Sequence, residues 1–224
     1  MEVVFLPNTF HKTEQTKSFR KRTIFNATQS ATSATLNTDF HFSELNELTL
    51  GNEGSYSINL NPGYMNLILP LVGELITDQK NNIHSIEPGQ LLNLNSNISS
   101  VIKLRNESKV ETSLFLQIIY KNDSYKLTSQ VHPVDIEQAN QKLHDIPISP
   151  EVSLSIGKFL GRFDYAFDIK KNERIIAYVI SGVFELEHRL LEAGDVMILS
   201  GVDKNQLEME SLAVESILLI LKST

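Results

Sequence analysis

The stretch Ile175-Ile-Ala-Tyr-Val-Ile-Ser-Gly-Val-Phe-Glu-Leu186, followed by Glu192-Ala-Gly-Asp-Val-Met-Ile-Leu199, decides the fold. An apolar run, a glycine, a second run and an Ala-Gly-Asp corner predict three consecutive strands, because glycine supplies the backbone angles that tight turns need. The same programme stands earlier, in Leu67-Ile-Leu-Pro-Leu-Val-Gly-Glu-Leu-Ile76 and Glu87-Pro-Gly-Gln-Leu-Leu-Asn-Leu94. Gly73 and Gly182 lie 109 residues apart, and the corner glycines Gly89 and Gly194 lie 105 apart. Each half closes on an apolar run, Leu114 to Tyr120 and Ser216 to Leu221. A repeat of this length exceeds a solenoid unit and predicts two similar small β domains.

Outward from these stretches the chain is a series of short strands separated by turn signals, the appearance of a sandwich or small barrel. Between Ser55 and Leu60, Tyr56, Ile58 and Leu60 alternate with Ser55, Ser57 and Asn59, which predicts a half-buried strand. Residues 1 to about 40 are rich in Thr, Ser, Asn and Gln and are expected to drape over the first domain with a strand or two. One helix is expected, over Pro133 to Leu143, with Asp135 as its N-cap and Pro147 and Pro150 blocking its continuation. The expected organisation is an N-terminal domain over 1–125, a linker with the helix over 126–150, and a C-terminal domain over 151–224. The class is all-β.

The 224 residues carry a formal charge of −7, which argues against a broad surface for nucleic acid or anionic membrane. The basic cluster Lys17 to Arg22 reads as a solvated segment. There is no cysteine, so disulfides, thiolate metal sites and cysteine nucleophiles are excluded. The N-terminal residues lack the basic flank and apolar length of a secretory signal, and no run approaches the roughly 20 apolar residues of a membrane span. A cytoplasmic protein is expected.

No dinucleotide, phosphate-loop, nucleophile-elbow or His-Glu-x-x-His motif is present. The six histidines, His11, His41, His84, His132, His144 and His188, are scattered, with no pair at the short spacing that places two ligands on one element. Glu185 with Glu187, and Glu208 with Glu210, are two apart on predicted strands and read as solvated strand faces.

The repeated strand, glycine turn, strand and corner resemble the cupin fold, and the duplication resembles a bicupin: two tandem double-stranded β-helix (jelly-roll) barrels. The closer resemblance is to the pirin and quercetinase-like family, over most of the chain. In that family a His-x-His precedes a Gly-aromatic step and an apolar strand that ends in glycine. Here the frame is Asn59-Leu60-Asn61, Gly63-Tyr64, Leu67 to Val72 and Gly73. The second ligand pair of the family, His-x-Glu, falls on Ile102 and Leu104. The resemblance therefore implies a metal site vacated at Asn59, Asn61, Ile102 and Leu104, since neutral amides bind such ions poorly and aliphatic chains supply no donor. In the second barrel, Met197 and Ile175 fall on ligand positions and supply none.

No cofactor is implied. The leading expectation is a metal-free, non-catalytic bicupin that binds a small molecule or a protein partner, with Asn59, Asn61, Tyr64 and Asn66 offering amides and a phenol near the barrel mouth. One alternative is a metal-dependent quercetin 2,3-dioxygenase-like enzyme. The other is a structural or interaction protein, in which edge strands could pair two copies into a homodimer.

Overall fold

The computed structural model describes residues 1–28, 41–79, 82–122, 130–134 and 141–224. Some of its strands alternate inward apolar with outward polar side chains, as in Ser55–Leu60 and Gln206–Ser211, and others are apolar runs buried along most of their length, as in Tyr64–Val72 and Ser216–Ser223. The strands are β1 (Glu2–Leu6), β2 (Lys12–Gln15), β3 (Phe19–Asn26), β4 (Phe42–Leu50), β5 (Ser55–Leu60), β6 (Tyr64–Val72) and β7 (Leu75–Gln79). There follow β8 (Asn82–Ile86), β9 (Gln90–Asn95), β10 (Ser100–Arg105), β11 (Ser113–Lys121), β12 (Gln130–Pro133), β13 (His144–Pro147) and β14 (Val152–Phe159). The last are β15 (Phe163–Asp168), β16 (Arg174–Ser181), β17 (Val183–Leu186), β18 (Arg189–Glu192), β19 (Val196–Ser200), β20 (Gln206–Ser211) and β21 (Ser216–Ser223). No helix among the described residues is long and apolar enough to cross a membrane.

Two compact units result, His11–Val134 and Met1–Phe10 with Asp135–Thr224. In the first, a seven-stranded sheet (β12-β9-β6-β11-β4-β3-β2) and a four-stranded sheet (β5-β10-β7-β8) share one core. Leu48, Ile68, Leu92 and Phe115 reach into it from the larger sheet, and Ile58, Leu75, Ile86 and Leu104 from the smaller. In the second, a six-stranded sheet (β1-β19-β16-β21-β14-β13) and a four-stranded sheet (β15-β20-β17-β18) enclose a core that includes Phe159, Phe184, Met197 and Leu218. The order β9-β6-β11-β4-β3 of one unit matches β19-β16-β21-β14-β13 of the other, so the duplication read from the glycines is a duplication of topology. Gly73, Gly89, Gly182 and Gly194 all have positive φ, as the repeated turns require.

The N-terminal segment departs from expectation. Val3, Val4 and Phe5 pair with Leu199, Ile198 and Met197, so β1 forms an edge of the second unit's sheet and does not drape over the first domain. The equivalent edge of the first unit, beside β9, is supplied by β12. Residues 12–26 do join the first unit, as β2 and β3. The basic cluster is also corrected: Arg22 lies in β3 and pairs with Glu47 at 2.9 Å, with Lys21 3.9 Å from Glu44.

The expected linking helix is not continuous over its range. Pro133 ends a strand, Val134 donates its amide to the Gly89 carbonyl, and Gln141 has a φ of 64°. The core of the expected helix, 135–140, lies outside the described residues, as do the loop-like Thr/Ser/Ala tract over 29–40 and the tip of the β7–β8 hairpin.

Candidate functional site

The period-two alternation of β5 places its side chains unambiguously. Ile58 and Leu60 are buried in the first unit's core, and Asn59, between them, is exposed. Across the ladder Ile102 is opposite Ile58, and both Ile102 and Leu104 belong to the same core. Asn59 and Asn61 therefore do not line the barrel with Ile102 and Leu104; they are exposed to solvent. This corrects the pocket built on the amides of both, because on a strand neighbouring residues take opposite faces. The inward positions here are Ile58, Leu60, Ile102 and Leu104. Tyr64 is half-buried where β6 begins, and Asn66 is buried two residues on, on the face that carries Ile68.

Asn66 leads to the polar residues that sequence reasoning missed. Gln117 Nε2 donates to Asn66 Oδ1 at 2.8 Å. Asn46 Nδ2 donates to Gln117 Oε1 at 3.4 Å and to Glu44 Oε2 at 3.1 Å. Asn26 Nδ2 closes the row on Glu44 Oε1 at 3.2 Å. Asn46, Asn66 and Gln117 alternate along their strands with the core residues Leu48, Ile68 and Phe115, so this is a polar layer facing the barrel interior. All three are at most 3% exposed, and Asn46 Oδ1 accepts no hydrogen bond. A buried acceptor left without a donor costs about 1–3 kcal/mol, so the layer is poised to take one. The available signal was a lone polar residue inside an apolar run, Gln117 within Leu114 to Tyr120.

This donor set does not fit a divalent metal. Three neutral amides are weak ligands for iron, nickel or zinc; Ile58, Leu60, Ile102 and Leu104 are aliphatic, and the one other inward side chain on β5, Tyr56, packs its ring against that core. Among the described residues no three His, Asp or Glu side chains are grouped so as to hold an ion.

The second unit presents a different feature, a groove of about 410 Å³ over β15, β20 and β17. Five carboxylates line it, Asp164, Glu185, Glu187, Glu208 and Glu210, with His188 at one side. Asp164, Glu210 and Glu185 stand opposite one another across three strands, an arrangement in which like charges repel. Glu187 and His188 form the β17–β18 turn, both with positive φ. Unlike a solvated strand carboxylate, the Glu187 side chain is only 5% exposed; it meets Lys204 Nζ at 2.5 Å and accepts the Glu208 amide at 3.0 Å.

Burial pushes the Glu187 carboxyl up, but the Lys204 hydrogen bond, the Glu208 amide and the lysine charge together hold it below its ordinary value of 4.5. The unfolded chain thus binds a proton that the folded chain refuses. The stability from this pair is present above about pH 4.5 and is lost as pH falls through the lower, folded value. The bond to Glu187 raises Lys204 above 10.5, so at alkaline pH the pair persists below that value and is lost as pH rises beyond it. Glu187→Gln is expected to flatten the acid limb of a melting-temperature profile against pH; an unchanged limb would remove Glu187 as its source.

Sheet order, two shared cores and repeated glycine turns give the chain a tandem cupin fold, a pair of jelly-roll barrels. Solved structures agree on the fold. Bacterial pirin YhhW from Escherichia coli, in complex with nickel(II), superposes with a TM-score of 0.79 at 11% identity over 99% of each chain. Quercetin 2,3-dioxygenase from Acinetobacter baumannii gives 0.71 at 11% identity, over 95% of this chain and 83% of that one. An 11S allergen from Cocos nucifera gives 0.70 at 8% identity, over 99% and 89%. No family model matches the sequence, and no curated protein matches it. The fold is shared by a nickel-bound pirin, a quercetin 2,3-dioxygenase and an 11S allergen, so function must be argued from the site.

Proposed function

We propose that this chain is a metal-free tandem cupin that binds a small molecule at the polar layer of its first barrel. The observation that carries this reading is the inward set itself: Ile58, Leu60, Ile102 and Leu104 on one sheet, and the amides of Asn46, Asn66 and Gln117 on the other. Such a lining suits a neutral molecule with an apolar body, and the free acceptor Asn46 Oδ1 calls for a hydrogen-bond donor on it. Nickel in the pirin and the dioxygenase name of the quercetinase belong to those proteins; the metal-free reading is supported by the want of any group of three His, Asp or Glu side chains among the described residues.

Elemental analysis of the purified protein, with melting curves with and without iron, manganese, nickel, copper and zinc, tests the reading. Metal far below one equivalent and superimposable curves are expected. Near-stoichiometric metal, or a concentration-dependent shift with one ion, would overturn it and favour a metal-dependent dioxygenase.

A further inference from the structure

Beyond the first barrel, the second carries a buried cation that nothing so far employs. Lys222 follows Leu218 and Ile220 on the inward face of β21 and is only 8% exposed. Its chain crosses the barrel to β15, where Nζ lies 5.6 Å from the centroid of the Phe167 ring and 3.4 Å from the Asp168 carbonyl. Its carboxylate partner, Asp145 on edge strand β13, is 3.7 Å away and 67% exposed. Neither contact reaches the roughly 2.7–2.9 Å of a good charge-assisted hydrogen bond, and an ammonium has three donors to place.

The surroundings are built for a carboxylate. Ser155 donates its hydroxyl to Asp145 Oδ1, the same oxygen that faces Lys222. Ser153 stands directly opposite Lys222 in the β14–β21 ladder, on the inward face that continues through Ser155 to Phe159. Other carboxylates nearby are engaged: Asp168 accepts from Gln206 Nε2 at 2.8 Å, and Glu173 from the Lys170 amide at 2.9 Å. One ammonium, the Ser155 hydroxyl and one aromatic face are grouped here, with Ser153 at the opposed ladder position, and the carboxylate that meets the ammonium and the Ser155 hydroxyl comes from an exposed edge strand.

We propose that Lys222, Ser153 and Ser155 form a seat for the carboxylate of a small organic acid, held in the free protein by Asp145 acting as an internal stand-in. An incoming acid displaces Asp145 toward solvent, where its charge is readily hydrated, and shortens the contacts to Lys222. The apolar body of the acid has the Phe167 ring beside it. This site is separate from the first-barrel layer and stands or falls apart from it.

Benzoate is a suitable probe and neutral benzamide its control, with melting curves of the full chain as readout. A ligand that binds the folded state raises the melting temperature with the logarithm of its concentration. Asp145→Asn frees the seat and is expected to tighten benzoate binding about tenfold or more over wild type, while benzamide has no effect. Adding Lys222→Met should abolish the response. Should that double variant fail to fold, the side-chain ammonium resonance of Lys222 in Asp145→Asn reads the contact directly and is expected to move with benzoate. No benzoate response in Asp145→Asn, an equal response to benzamide, a response that survives Lys222→Met, or a still Lys222 resonance would each overturn the proposal.

Discussion

Replacing Gly182 by alanine is expected to lower stability by about 4 kcal/mol and the melting temperature by roughly 10 °C. Two costs combine. Gly182 has a φ of +81°, where an L side chain costs about 1–2 kcal/mol. An added Cβ would also lie 2.6 Å from Ser216 Cβ and 2.7 Å from Ser216 Cα, closer than packed atoms come. Ser216 cannot simply withdraw, because its hydroxyl donates to the Ala213 carbonyl and accepts the Val183 amide, which ties the Gly182 turn to the start of β21.

The repeat supplies its own controls. Gly73→Ala, at the equivalent turn with φ +70°, meets the Thr112 carbonyl at 2.9 Å and Ser113 Cα at 3.2 Å, a milder crowding that should cost about 2–3 kcal/mol. Gly63→Ala has φ +79° and nothing within 4 Å, so only the backbone term of about 1 kcal/mol remains. Thermal melts of the three should therefore rank Gly182 above Gly73 above Gly63. Equal losses would mean that backbone angle alone sets the cost and that the close approach to Ser216 contributes nothing.

Those glycines also explain why the architecture was legible. A turn with positive φ between two apolar runs leaves a mark at a fixed residue, and the mark recurs at Gly73 and Gly182 and again at Gly89 and Gly194. Strand partners far along the chain leave no such mark. Nothing in Glu2 to Leu6 says that it pairs with Val196 to Ser200, because that pairing depends on which edge is free once both sheets have formed.

The site was half legible for a related reason. Alternation through Tyr56, Ile58 and Leu60 already put Asn59 on the outer face, whereas the family frame put it at the barrel mouth; the structure follows the alternation. Burying two aliphatic side chains is worth several kcal/mol, and shifting the strand by one residue would forfeit it. Asn46, Gln117 and Lys222 went unnoticed because none carries a local mark of its own: Gln117 is one polar residue in an apolar run, Asn46 lies among other polar residues between Glu44 and Glu47, and Lys222 stands at the end of the last apolar run. The meaning of each appears only when the neighbouring strands bring a partner alongside.

The second large effect is expected at Gln117, which holds the polar layer together. Gln117→Ala removes the donor to Asn66 Oδ1 and one acceptor of Asn46, and leaves a cavity beside Phe115 and Ile68. An orphaned buried acceptor together with a cavity should cost about 3 kcal/mol, measured by denaturant unfolding. Replacing Asn46, Asn66 and Gln117 together by leucine acts in the opposite sense. No amide of the three is then left without its mate, and apolar side chains of similar size are expected to restore stability to within about 1 kcal/mol of wild type. That result would show the layer to be dispensable for folding, which leaves ligand recognition as the reason for burying three amides in an aliphatic barrel. A triple variant less stable than Gln117→Ala would make the layer a structural tie instead, and the first barrel would lose its claim to a binding site.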